Sequence, residues 1–327
     1  MTQKITEAFL IIAIIVFCYV FNILIHEFGH LCMGKATGYI MASFRIGPLK
    51  LFKDNGKLKL LYERVPGTLG QCIMLPPDSD EPEKVPALLY HFGGGFFNAI
   101  TALVALPFCF IVGIKYLKVF FAMMFIIAAA MTMLNLYPAK ITVPNDGYNM
   151  KLIRKSVADR KAIYRILKIT GCNELSPGEM PEAYFEYDED GEYSVAMKML
   201  CAYHCMDKGE FGKAETLFRE ASAEKEKGMV YYSLESCKEQ IFCMILRGAS
   251  PEEIKEVWDE KTDRYIKAGS AQSASSLRVL YAFDKLIDKN EEKAEEEYST
   301  LMKMMKKLSP GDRKMESRLM EVTKNAV

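Results

Sequence analysis

Three apolar stretches dominate the first half of the chain. The first runs from about Glu7 to Lys35, and between Phe9 and Ile25 only Asn22 interrupts it; the second covers Phe96–Ile114, with Pro107 inside; the third covers Val119–Tyr137. About 20 apolar residues suffice for a helix to cross a bilayer, so each predicts a membrane span. Between the first two, Leu49–Lys53 and Lys57–Leu61 alternate around Asp54-Asn55-Gly56, which predicts a β-hairpin turning at Asn-Gly. It reads either as a basic hairpin on anionic headgroups or as a strand edge that an extended substrate could pair with. The polar stretch Pro76–Pro86 reads as a loop and candidate lid. After Lys140 the period changes: Tyr148–Ile169 is a basic amphipathic stretch expected as a helix at the membrane surface, Asn173–Tyr193 is an acidic linker, and from Ser194 the pattern is helical. Helices are expected over Met229–Arg247 and Pro251–Lys267, the second started by Ser250 with Pro251 first, and Trp258 is expected in a core.

Charge sharpens this division. The 42 basic and 42 acidic residues cancel, leaving no global field for nucleic acid. Residues 1–150 hold only 12 Lys/Arg and 9 Asp/Glu, so the rest is a charge-rich, solvated part. Eight basic residues lie in 35–84 and eight in 140–168, against Lys4, Lys115 and Lys118 at the other ends of the spans. The positive-inside rule then expects an integral membrane protein of the cell membrane with its N-terminus outside and its C-terminal part in the cytosol. Nine cysteines without a CxxC or a paired framework fit reduced thiols on that side. Lys4 precedes an apolar run with no small-residue cleavage site after it, so the first span is expected to be a retained anchor.

The candidate chemistry sits at the end of the first span, in His26-Glu27-Phe28-Gly29-His30. Residues four apart share a helix face, so the two imidazoles can hold one Zn²⁺ while Glu27 takes a proton from a bound water. Five residues separate His30 from Lys35, which places the site roughly 7–15 Å inside the cytosolic boundary at about 1.5 Å per residue. A catalytic zinc needs a third protein ligand. Asp146, in Pro144-Asn145-Asp146-Gly147, and His91, before Gly93-Gly94-Gly95, are the two candidates.

The HExxH, the glycine-rich turn ending in Asn98, and Asn135-Leu136-Tyr137-Pro138 leading to Asp146-Gly147 resemble the site-2 protease family of intramembrane zinc metallopeptidases, over about residues 5–155. The chain departs from that family's pattern where Gly and Phe stand in place of a proline after the glycine of the turn, and where Asn145 stands in place of an apolar residue before Asp-Gly. The resemblance implies that His26, His30 and Asp146 bind zinc, that Glu27 is the general base, and that Asn98 and Asn135 contact the substrate backbone. Further on, Ala202, Gly209, Phe211, Ala214, Phe218 and Ala221, with a weaker copy at Ala282, Ala294, Tyr298 and Leu301, are similar to tetratricopeptide positions. The expected fold is mainly α: a polytopic membrane core of three transmembrane helices with a small β-hairpin (1–155), an amphipathic helix and linker (156–193), and a soluble all-α helical-repeat domain (194–327). The implied function is hydrolysis of a peptide bond in or near a transmembrane segment at the cytosolic side. Expected partners are a membrane-protein or peptide substrate, the lipid bilayer, and a cytosolic protein or a second copy of the chain through 194–327. A membrane-anchored adaptor with a vestigial zinc site is the alternative, and a metal transporter using His26 and His30 is a third reading.

Overall fold

A computed structural model describes residues 2–54, 56–62, 68–140, 144–224 and 230–326. They fall into two units, 1–51 with 65–160 and 52–64 with 161–327. In the first, α1 (Thr2–Ala36), α2 (Leu88–Ile111) and α3 (Lys115–Leu136) are long and apolar enough to cross a membrane. They run up, down and up: Lys115 Nζ, at the start of α3, lies 3.2 Å from Glu7 Oε2, near the start of α1. Phe9, Leu103, Phe110 and Met133 stay exposed, as side chains meant for lipid would. The helices meet in one buried cluster of Cys18 of α1, Ala105 of α2 and Met124 of α3. At the α1–α2 crossing, a Cβ on Gly93 would stand 2.7 Å from the carbonyl carbon of Gly29. Only glycine permits that approach of two backbones.

The second span therefore starts earlier than expected. Gly93-Gly94-Gly95 is not a turn but the second turn of α2, which begins at Leu88. Each glycine inside a helix costs about 1 kcal/mol relative to alanine, and here close packing offsets the loss. At the other end, the turn between spans is Val112–Ile114, and Lys115 and Lys118 both belong to α3.

Helix α1 stops at Gly38, whose φ of 86° suits glycine, with Tyr39 N–H bonded to Gly34 O. A four-stranded sheet follows, made of β1 (Ile40–Ile46), β2 (Leu49–Asp54), β3 (Lys57–Tyr62) and β4 (Gly70–Leu75) in the order β3-β2-β1-β4. The hairpin predicted at 49–61 is β2–β3; Asn55 of its turn lies outside the described residues. Strands β1 and β4 were not expected. They pair antiparallel from Ile40 with Leu75 to Ile46 with Gly70, and a bulge between Met41 and Ser43 erases the alternation that would have marked β1. Buried Arg45 within it donates to Gly47 O and Thr68 O. Beyond α3 come α4 (Asp146–Lys155) and α5 (Val157–Gly171). The single amphipathic helix expected at 148–169 is broken at Ser156, whose Oγ accepts from Asp159 N–H and starts a new helix.

The second unit holds α6 (Ser194–Asp207), α7 (Phe211–Ala223), α8 (Val230–Leu246), α9 (Pro251–Val257), α10 (Glu260–Gly269), α11 (Ala274–Leu286), α12 (Glu291–Met305) and α13 (Pro310–Asn325). Ala202, Ala214 and Phe218 are fully buried, in one core with Phe242, Ile266 and Val279. Ala282 joins that core, whereas Ala294 and Leu301 pack in a second cluster with Tyr281 and Met320. Gly209, with φ 81°, turns the chain from α6 into α7. Ser250 and Glu253 form a capping box at α9, and Trp258 is half-buried against Phe283. Residues 173–193, expected as a linker, carry two 3-10 turns with Met180 and Phe185 buried beside Cys201. A buried ionic network ties α8, α11 and α13: Arg278 donates to Glu239 and Glu316 at 2.8 Å each and lies 4.0 Å over the Phe242 ring. Removing one partner of such a network leaves a buried charge unpaired, which costs about 3–5 kcal/mol.

Candidate active site

Helix α1 places His26 and His30 on one face, and the first residue of α4, Asp146, meets them. The two Nε2 atoms are 3.1 Å apart, and Asp146 Oδ2 is 3.2 Å from each. All three side chains are largely shielded from solvent. Their neighbours fix which atoms carry protons. Tyr90 O can only accept, so His30 Nδ1–H donates to it at 2.8 Å. Asn98 Nδ2 donates to Asn22 O at 3.0 Å, which turns Asn98 Oδ1 towards His26 Nδ1–H at 2.8 Å. Asn22 in turn donates to Cys18 O at 2.8 Å. In neutral rings with protonated Nδ1, both Nε2 atoms present lone pairs. Two lone pairs and a carboxylate oxygen then converge on one point, an arrangement that repels itself unless a proton or a metal ion lies among them.

The donor set and its spacing fit zinc. Two imidazole nitrogens and a carboxylate oxygen are ordinary zinc ligands, and bonds of about 2.0–2.1 Å in a tetrahedron give edges of about 3.3 Å. The observed edges are 3.1 and 3.2 Å. The hydrogen bonds on both Nδ1 atoms are the outer contacts that hold metal-binding histidines in place. Space for an ion is kept by Gly94: a Cβ there would stand 2.5 Å from His30 Nε2 and 2.6 Å from His26 Nε2.

Of the two candidates for the third position, it is Asp146 that stands with the imidazoles. His91 lies behind it, Nδ1 3.4 Å from Asp146 Oδ1 and 3.4 Å from Asn149 Nδ2. Glu27 is buried between α1 and β4, where a Cβ on Gly70 would lie 2.9 Å from Glu27 Cγ. Asn98 is engaged by His26 and Asn22. Asn135 donates to Met131 O within its own helix at 2.9 Å. Asn22, Gly70, Tyr90 and Asn145 were not singled out from sequence as parts of the site. The asparagine inside an apolar run was a readable signal for the first, because an amide in lipid needs a partner. Tyr90 also binds the sheet to the site, its hydroxyl donating to Cys72 O of β4 at 2.6 Å.

No curated protein and no solved structure matches the chain. The family model for peptidase family M50 matches residues 12–317, well past the stretch over which the sequence motifs alone carry the resemblance. With three membrane-length helices and this group of side chains inside the matched region, the chain belongs to peptidase family M50, the site-2 protease family, whose members are metallopeptidases.

Proposed function

We propose that the protein is an intramembrane zinc metalloprotease that hydrolyses a peptide bond in or near a transmembrane segment, on the cytosolic side. The observation that carries this reading is the convergence of two imidazole Nε2 atoms and one carboxylate oxygen at edges of 3.1 and 3.2 Å. His26, His30 and Asp146 would hold the ion. When bound, zinc supplies an acidified water and polarises the scissile carbonyl. Glu27 accepts the proton of the attacking water and passes it to the leaving amine. Tyr90 and Asn98 keep the imidazole rings aimed. Helical backbone hides its carbonyls in hydrogen bonds, so the substrate must unwind before attack. Strand β4, at the end of the sheet order and against Glu27, offers an edge on which an unwound segment can be held. The helix pairs α6–α7 and α11–α12 would serve as a tetratricopeptide-like module for a cytosolic partner or a second copy of the chain.

Glu27→Gln keeps the shape and removes the base. In a reconstituted cleavage assay it should lower hydrolysis by about 10²-fold or more, with zinc still bound. Cleavage at the parent rate would reject the mechanism and leave the adaptor reading, under which loss of 194–327, not of Glu27, removes function.

A further inference from the structure

We propose that Asn145 is the positioning residue that sets the third zinc ligand, by tying the end of α3 to the start of α4 through one amide side chain. The proposal rests on the zinc reading above. Asn145 Nδ2 donates to Leu134 O at 2.6 Å and to Tyr137 O at 2.7 Å, two carbonyls at the end of α3. Its Oδ1 accepts from Ala139 N–H at 3.0 Å and from Tyr148 N–H at 2.9 Å. A primary amide offers two donors and one carbonyl with two lone pairs, so every hydrogen-bonding position of the side chain is used. The carbonyls at the C-terminus of one helix and an amide at the N-terminus of the next are groups that helices leave unsatisfied, and this one residue serves both.

Asp146 is the first residue of α4. Its Oδ2 must stay within about 0.2 Å of the distance that suits a shared ion, so any drift of the α4 start moves the ligand. A second contact enforces the same register: a Cβ on Gly147 would stand 2.6 Å from the carbonyl carbon of Leu136, so α4 begins pressed against the end of α3. An apolar residue at 145 would leave Leu134 O and Tyr137 O without these donors and keep only the backbone bond from its N–H to Ala139 O. The asparagine that departs from the family's pattern is therefore the device by which this chain fixes the start of α4 against the end of α3.

The tie can be separated from simple helix capping. Serine is a good N-cap and keeps an acceptor for Tyr148 N–H, but it lacks the two amide donors. Full-length protein in detergent is titrated with zinc against a chromophoric chelator, and its thermal unfolding without metal is followed alongside. Asn145→Ser should weaken zinc binding by about 10- to 100-fold, the usual cost of losing a contact behind a ligand. Asn145→Ala should weaken it at least as much. Asn290→Ala, which removes the cap that accepts from Lys293 N–H at α12, should lower the unfolding temperature and leave zinc affinity unchanged. Parental zinc affinity in Asn145→Ser overturns the proposal even if Asn145→Ala fails to fold. A parent that binds no zinc overturns the zinc reading and this proposal together, and so is told apart from the failure of the tie alone.

Discussion

The site depends on a residue that has no side chain. Gly94 faces the two Nε2 atoms, and the methyl of an alanine there would occupy the space among the donors. In a helix interior, alanine is otherwise better than glycine by about 1 kcal/mol, so Gly94→Ala should not loosen α2 itself. The expected outcome is a protein whose metal-free unfolding temperature is equal or higher, but which retains little zinc after dialysis and shows no measurable peptidase activity. Zinc content by elemental analysis checks this, and a parental stoichiometry would show that the ion sits elsewhere. The same glycine shows why part of the site was hidden in the sequence. A run of three glycines reads as a turn because glycine is costly in a helix, and only the contacts of Gly93 with Gly29 and of Gly94 with the imidazoles reveal it as a packing face. The histidines and Glu27 were legible because helical spacing alone puts His26 and His30 together. Residue types alone leave Asp146 level with His91, since nothing local shows which of two distant side chains folds back, and it is the family resemblance that points to Asp146.

At the scale of elements, long apolar helices were read within several residues, because apolar length is a property of the segment itself. Strands β1 and β4 were not, because a bulge and a buried Arg45 disguise one of them, and their pairing joins residues about 30 apart. In the second unit, α11 and α12 are joined by a carboxyl pair, Asp284 with Glu297. Burial, and then the neighbouring Asp284, push the Glu297 carboxyl up to about 8. Lys293 acts the other way, and Glu296 adds to the rise. The folded chain therefore keeps a proton that the unfolded chain releases from about pH 4.5 upward. By linkage, the stability from this group is fully present below about pH 4.5 and declines as pH rises through about 8. The unfolding temperature should fall between pH 5 and pH 8.5, and Glu297→Gln, which cannot ionise, should fall less. Equal falls in parent and variant would show that this carboxyl titrates normally in the folded protein.

For the whole molecule, crossing by all three candidate spans would place the two termini on opposite sides of the membrane, so a single fact would fix the side of every other part. The end of the bundle marked by Glu7 and Lys115 carries few basic residues, whereas the stretches following α1 and α3 carry eight each. By the positive-inside rule we propose that these basic stretches face the cytosol. The candidate metal group of His26, His30 and Asp146 lies near the end of α1 and the start of α4, next to those basic stretches, so it would open towards the cytosol. The free thiols of Cys172, Cys201, Cys205, Cys237 and Cys243 would suit the reducing compartment that this orientation would give the charge-rich part. In right-side-out vesicles, an epitope at the N-terminus should be removed by added protease while one at the C-terminus is protected until the membrane is permeabilised. The reverse pattern would put Glu27 and its water on the outer face, and the substrates would then have to be cut from that side. Cleavage of both epitopes in sealed vesicles would mean an even number of crossings, which would require one of the three apolar helices to lie outside the bilayer.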